Sequence, residues 1–150
     1  MEYIELKRIN NNKLFYGISS LFSLILGIGI YLFYRKTNML LFQWLPVLKF
    51  INNIYISLGH SIISSIIKFN LPDTLWFLSG ILFLRFLWFD NNKEQKIYIL
   101  IFIFFGILFE VSQLSENIPG TFDFYDLFFM CISAFIESVL YKRIFKRRIL

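Results

Sequence analysis

One cysteine, one histidine and three prolines in 150 residues exclude several kinds of chemistry at the outset. A lone cysteine, Cys131, cannot close an internal disulfide. A lone histidine, His60, without a cysteine partner leaves no zinc set, and no HExxH-type spacing is present, so no metal site is expected. There is no glycine-rich phosphate loop and no Ser-His or Cys-His arrangement, and no cofactor is implied. Acidic residues are also scarce, 10 against 15 Lys and Arg, for a net charge of +5. That excess does not point to nucleic acid, because the basic residues gather beside apolar segments. Such a distribution encodes membrane orientation and contact with anionic lipid.

What the chain has in quantity is apolar surface. Its hydrophobic fraction is 57%, against about 45–50% in soluble proteins, and its mean hydropathy is +0.64. Twenty Phe, eight Tyr and three Trp would crowd a single water-soluble core of this length. A lipid bilayer accepts them directly. Residues 1–150 therefore read as one integral membrane domain, all-α, with the bilayer as its main partner.

Four segments meet the length that a bilayer core requires, roughly 20 residues. They are about 14–33, 71–89, 97–114 and 125–141. The first follows a basic head, as a signal peptide would, but it is long for one and leads into Tyr34, Arg35 and Lys36 without a small-residue cleavage site. It reads as a retained span. Between the first two spans, Met39–Leu48 is short and holds Pro46. From Ile51 to Phe69 apolar residues recur at steps of three and four, opposite a stripe of Asn53, Ser57, His60, Ser61, Ser64 and Lys68. That pattern predicts an amphipathic helical region over 39–69, lying in the interface plane or re-entering the bundle. The expected architecture is thus a four-transmembrane-helix bundle with one interfacial or re-entrant segment.

Five Lys and Arg among residues 142–148 place the tail in the cytoplasm of an inner (plasma) membrane protein. With four spans, the N-terminus and the turn carrying Lys93 and Lys96 share that side. The turn after the third span, with no Lys or Arg between Lys96 and Lys142, falls outside.

That outer turn interrupts two strongly apolar segments with acids. Carboxylates near hydrocarbon depth cost roughly 2.5–3.5 kcal/mol each on insertion scales, so they are rarely idle. The topology should bring Asp73, Glu110, Gln113, Asp123 and Asp126 to one outer face, as candidate ligand-binding residues. Glu110 and Gln113 share a helical face, and Asp123 and Asp126 repeat the spacing. Plainer roles stay open beside this one. Asp73 after Pro72 suits a helix N-cap, as does Asp123 (with Thr121 as a rival), and Asp126 suits the first turn of a helix dipole. Glu110, between Phe109 and Val111, fits either a ligand or a structural hydrogen bond.

Two further charges lie deeper. Arg85 is twelve residues past Asp73, and Glu137 eleven past Asp126, depths of roughly 18 and 16 Å at 1.5 Å per residue. They are candidates for a structural ion pair, with Arg85 snorkelling inward as the alternative. Gly27 and Gly29 suggest a close helix approach. Trp44, Trp76 and Trp88 suggest interfacial anchors.

Glu110, Gln113 and the run Gly120-Thr121-Phe122-Asp123 followed by Asp126 resemble the VanZ-like family of small integral membrane proteins. The similarity covers about residues 100–135, with the Pro72-Asp73 pair and the multi-span layout similar too. It implies a part in cell-envelope stress or in resistance to glycopeptide antibiotics. The chain departs from the family in lacking an arginine in the outer turn. It also has Thr74-Leu75-Trp76 where a histidine is common, and Phe129-Met130-Cys131 where an asparagine is common. Any activity resting on those residues is not implied. Three functions remain open: non-catalytic binding of an envelope ligand or partner at the acidic face, a structural subunit of a larger membrane complex, and an enzyme acting on a lipid-linked substrate through a carboxylate acid/base pair or a metal.

Overall fold

A computed structural model describes residues 2–34, 61–115 and 122–146. Every described element is helical. Helix α1 spans Glu2–Tyr34, α2 is the short Ile62–Ser65, and a π-helical turn covers Ile66–Asn70. Helices α3 (Leu71–Leu87), α4 (Asn92–Ser112) and α5 (Phe124–Lys146) follow. Four rods are long and apolar enough to cross a membrane: Asn11–Tyr34, Ile62–Leu87, Asn92–Ser112 and Phe124–Arg143. The chain is a multi-pass, all-α membrane protein.

The second rod corrects the expectation for the region before it. Residues 39–60, with His60 and Trp44, lie outside the described residues. At Ser61 the backbone is extended (φ −115°, ψ 159°), and a capping box opens a new helix. The Ser61 hydroxyl accepts from Ser64 N–H and the Ser64 hydroxyl accepts from Ser61 N–H. From there α2, the π turn and α3 run on without a break. Residues 62–69 thus continue into the second rod, and no described helix passes through 61 unbroken.

Pro72-Asp73 is likewise not the start of the span, and Asp73 is not its N-cap. Pro72 lies inside a rod that began ten residues earlier. A proline there lacks an N–H and its ring crowds the carbonyl four residues back. The chain answers with the wider π turn immediately before it, in which Leu71 N–H reaches Ile66 O.

Helix α3 is central, touching α1, α4 and α5. Its contacts alternate small residues with rings. Gly17 of α1 faces Phe86, Gly80 of α3 faces Phe102 of α4, and Gly106 of α4 faces Phe77. Between α1 and α3 the hydroxyls of Ser20 and Ser79 each donate to the other's backbone carbonyl at 2.9 Å. Small residues let helix backbones approach where lipid gives no hydrophobic drive for association. Trp76 takes part in this seam. Its ring lies 5.4 Å from that of Tyr31 and against Gly27. Of the two glycines that suggested close approach, Gly27 makes one and Gly29 makes none among the described residues.

The two ends of the bundle differ. Lys13 pairs with Asp90 at 2.9 Å, joining α1 to the turn after α3. Tyr16, Phe89 and Tyr141 cluster beside that pair. The same end therefore holds the early turns of the first span, the α3–α4 turn and the last turns of α5. Residues 70–73, 110–113 and 123–126 occupy the other.

A side chain at Gly27 would place its Cβ 2.6 Å from the Trp76 ring and 3.2 Å from the Pro72 carbonyl oxygen, whereas one at Gly29 meets nothing within 4 Å. Gly27→Val is expected to cost about 1–3 kcal/mol, as overpacking of an interior does. Gly29→Val should leave the melting temperature in detergent nearly unchanged. Thermal unfolding followed by tryptophan fluorescence compares them.

Candidate functional site

The acidic end is organised by Asn70, a residue absent from the candidates read from the sequence. It is the last residue of the π turn and is 4% exposed. Its Nδ2 donates to Asp123 Oδ2 at 2.9 Å and to Asp126 Oδ1 at 2.8 Å. One amide group thereby uses its two hydrogens on two carboxylates. The Asn70 carbonyl also accepts from the Thr74 hydroxyl at 2.8 Å.

Asp123 also serves the helix it precedes. Its Oδ1 accepts from the Tyr125 N–H at 2.9 Å, the bond expected of an N-cap, while Oδ2 holds Asn70. Glu110 comes from the last turn of α4 and is 5% exposed. Its Oε1 accepts from Asp123 N–H at 3.1 Å and its Oε2 from Gln113 Nε2 at 3.1 Å. Glu110 so joins the end of α4 to the start of α5. Asp73, three residues past Asn70, lies within electrostatic reach of both Glu110 and Asp126.

The structure thus brings Glu110, Gln113, Asp123 and Asp126 into one hydrogen-bonded cluster, with Asp73 beside it. Among the described residues the partners of Glu110, Asp123 and Asp126 are amides and backbone N–H groups. Neutral donors satisfy lone pairs and leave the negative charge in place. Such a cluster can hold a cationic group. Among the described residues no group of three His, Cys, Asp or Glu is arranged to hold a metal ion. Asn70 carries one faint signal in the sequence, a polar residue three before Asp73 at the edge of an apolar run. The Ser, Asn and Lys residues of the stripe before it hide that signal.

The second constellation lies toward the other end. Arg85 and Glu137 meet in a two-pronged pair, Nε to Oε1 at 2.8 Å and Nη2 to Oε2 at 3.1 Å. Arg85 Nη1 donates to Gln95 Oε1 at 2.7 Å, and the guanidinium lies 3.6 Å over the Tyr141 ring. Gln95, fully buried, turns its own amide back to the carbonyls of Arg85 and Trp88 at 3.1 and 3.2 Å. Tyr141 donates to Asn92 Oδ1 at 3.2 Å. Gln95 is equally inconspicuous in the sequence, since within the turn Asp90–Lys96 it looks like any solvated polar residue. The network ties α3, α4 and α5 to one another.

No protein-family model, curated protein or solved structure matches this chain.

Arg85→Leu strands the Glu137 carboxylate in the bundle. Removing one partner of a buried pair costs about 3–5 kcal/mol, whereas replacing both with apolar groups is often neutral. The single variant is expected to unfold far earlier in detergent, and Arg85→Leu with Glu137→Leu to recover most of that loss. A double variant less stable than the single one would contradict the assignment.

Proposed function

We propose that this chain is a VanZ-like protein of the inner membrane that acts by binding rather than by catalysis. Its acidic end faces the extracytoplasmic side and receives the cationic group of an envelope ligand or of a partner protein. The observation that carries this reading is the gathering of Glu110, Asp123 and Asp126, from two helices and the residue before one of them, around neutral donors. A hydrogen bond or pair to a charged group is worth about 1.5–3 kcal/mol, so each carboxylate contributes roughly tenfold or more to the affinity for a cation.

A second reading treats the cluster as a structural lock alone, and the bond from Asp123 N–H to Glu110 favours it. The two separate under substitution. Asp126→Asn keeps an oxygen for the Asn70 amide. Glu110→Gln keeps one for the Asp123 N–H while its new NH2 is met by the Gln113 amide turned over, so both remove charge and retain the bonds. With a dansylated alkylamine as probe, each variant in detergent is expected to bind roughly tenfold more weakly at unchanged helicity and melting temperature. A double amide variant that binds the probe as the unaltered protein does would refute the binding reading. A fall in melting temperature without a change in affinity would support the lock.

A further inference from the structure

The groove between α4 and α5 combines two features that the acidic end does not use. It encloses about 290 Å³ and its apolar wall is formed by Ile81, Ile99, Leu100, Ile103 and Ala134. Arg85, Lys96, Glu137 and Ser138 line it as well. The charges of Arg85 and Glu137 answer each other through their two-pronged contact. Lys96 is exposed, and its ammonium is the charge at the groove left without a bonded carboxylate among the described residues.

The surroundings have the same sign. Lys93, Lys142 and Arg143 are exposed at this end of the bundle, against Glu94 and the Asp90 already paired with Lys13. A slot walled by aliphatic side chains, with a lysine on its rim and a cationic field around it, matches an amphiphile with a negative head and a hydrocarbon tail. Basic pockets between membrane helices bind anionic headgroups for this reason. Lys96 also has the reach to place its stem on the apolar wall and its ammonium at the headgroup level.

We propose that this groove is a binding site for an anionic phospholipid. The phosphate sits on Lys96, and one acyl chain lies along Ile99, Ile103 and Ala134. The site is independent of the acidic cluster at the opposite end.

The test is native mass spectrometry of the full chain, delipidated and then equilibrated with equal phosphatidylglycerol and phosphatidylcholine in mild detergent. The protein is expected to retain phosphatidylglycerol in preference. Lys96→Gln should lower the retained ratio of the two lipids about fivefold, the share of one basic residue at an anionic surface. Lys93→Gln, exposed but off the groove and part only of the surrounding field, should lower that ratio by clearly less than Lys96→Gln does, and millimolar inorganic phosphate should not displace the lipid. Equal retention of both lipids overturns the proposal. So does an unchanged ratio in Lys96→Gln, an equal fall in Lys93→Gln, or displacement by phosphate.

Discussion

Hydrocarbon offers no partner to a charge or to a free N–H, so polar groups on membrane helices must be answered by other helices. Arg85 shows what that requirement does to a bundle. Its guanidinium spends two prongs on Glu137, one on Gln95 and its face on Tyr141. These three partners come from α4 and α5, so a single side chain on α3 fixes the angular setting of two neighbours. The remaining surfaces are Phe, Ile and Leu, which pack against one another in many arrangements of similar energy. The polar contacts distinguish among them. Ser20 and Ser79 do for α1 what Arg85 does for the other two helices.

The two ends of the molecule solve the same problem with opposite consequences. Toward one end Arg85 meets Glu137 and the buried charges of that pair cancel. At the other end carboxylates meet Asn70, Gln113 and backbone N–H groups. Hydrogen bonds from neutral donors stabilise the carboxylates without neutralising them. A lysine at position 70 would have held the same two aspartates and closed the cluster electrostatically. An asparagine holds them and leaves a negative field, which is the physical basis for reading that end as a receptor for positive charge.

The spans are legible in the sequence because an apolar run of about twenty residues matches the thickness of a bilayer and little else. The depth of Arg85 against Glu137 is legible by counting residues along two helices. The start of the second rod is not. Pro72-Asp73 has the appearance of a helix start, and the polar stripe before it suggests a surface helix; nothing in a 3.6-residue period announces a π turn. Asn70 and Gln95 escape for a related reason. A buried amide has the same letter as a solvated one, and only the packing around it, 4% and 0% exposed, tells them apart. The acids themselves stand out because they are costly where they are. Of the amides that hold or join those charges, Gln113 is marked by its spacing from Glu110, and Asn70 and Gln95 are not.

The proline and the acidic cluster are linked through the backbone. Pro72 removes a donor from the rod, and the π turn that absorbs this ends at Asn70. A π turn holds one more residue than an α turn, which advances everything before it by about 100° around the helix. Asn70 therefore leaves the turn with its carbonyl bonded to Thr74 and its amide directed at α5. Asp73, one turn later, falls on the side of the rod that feels Glu110 and Asp126. The defect that makes the rod look interrupted in sequence is thus the device that turns a buried amide toward two carboxylates. An alanine in place of Pro72 would restore the missing N–H and remove the ring that crowds the carbonyl four residues back, and with them the local reason for the π turn that Asn70 closes.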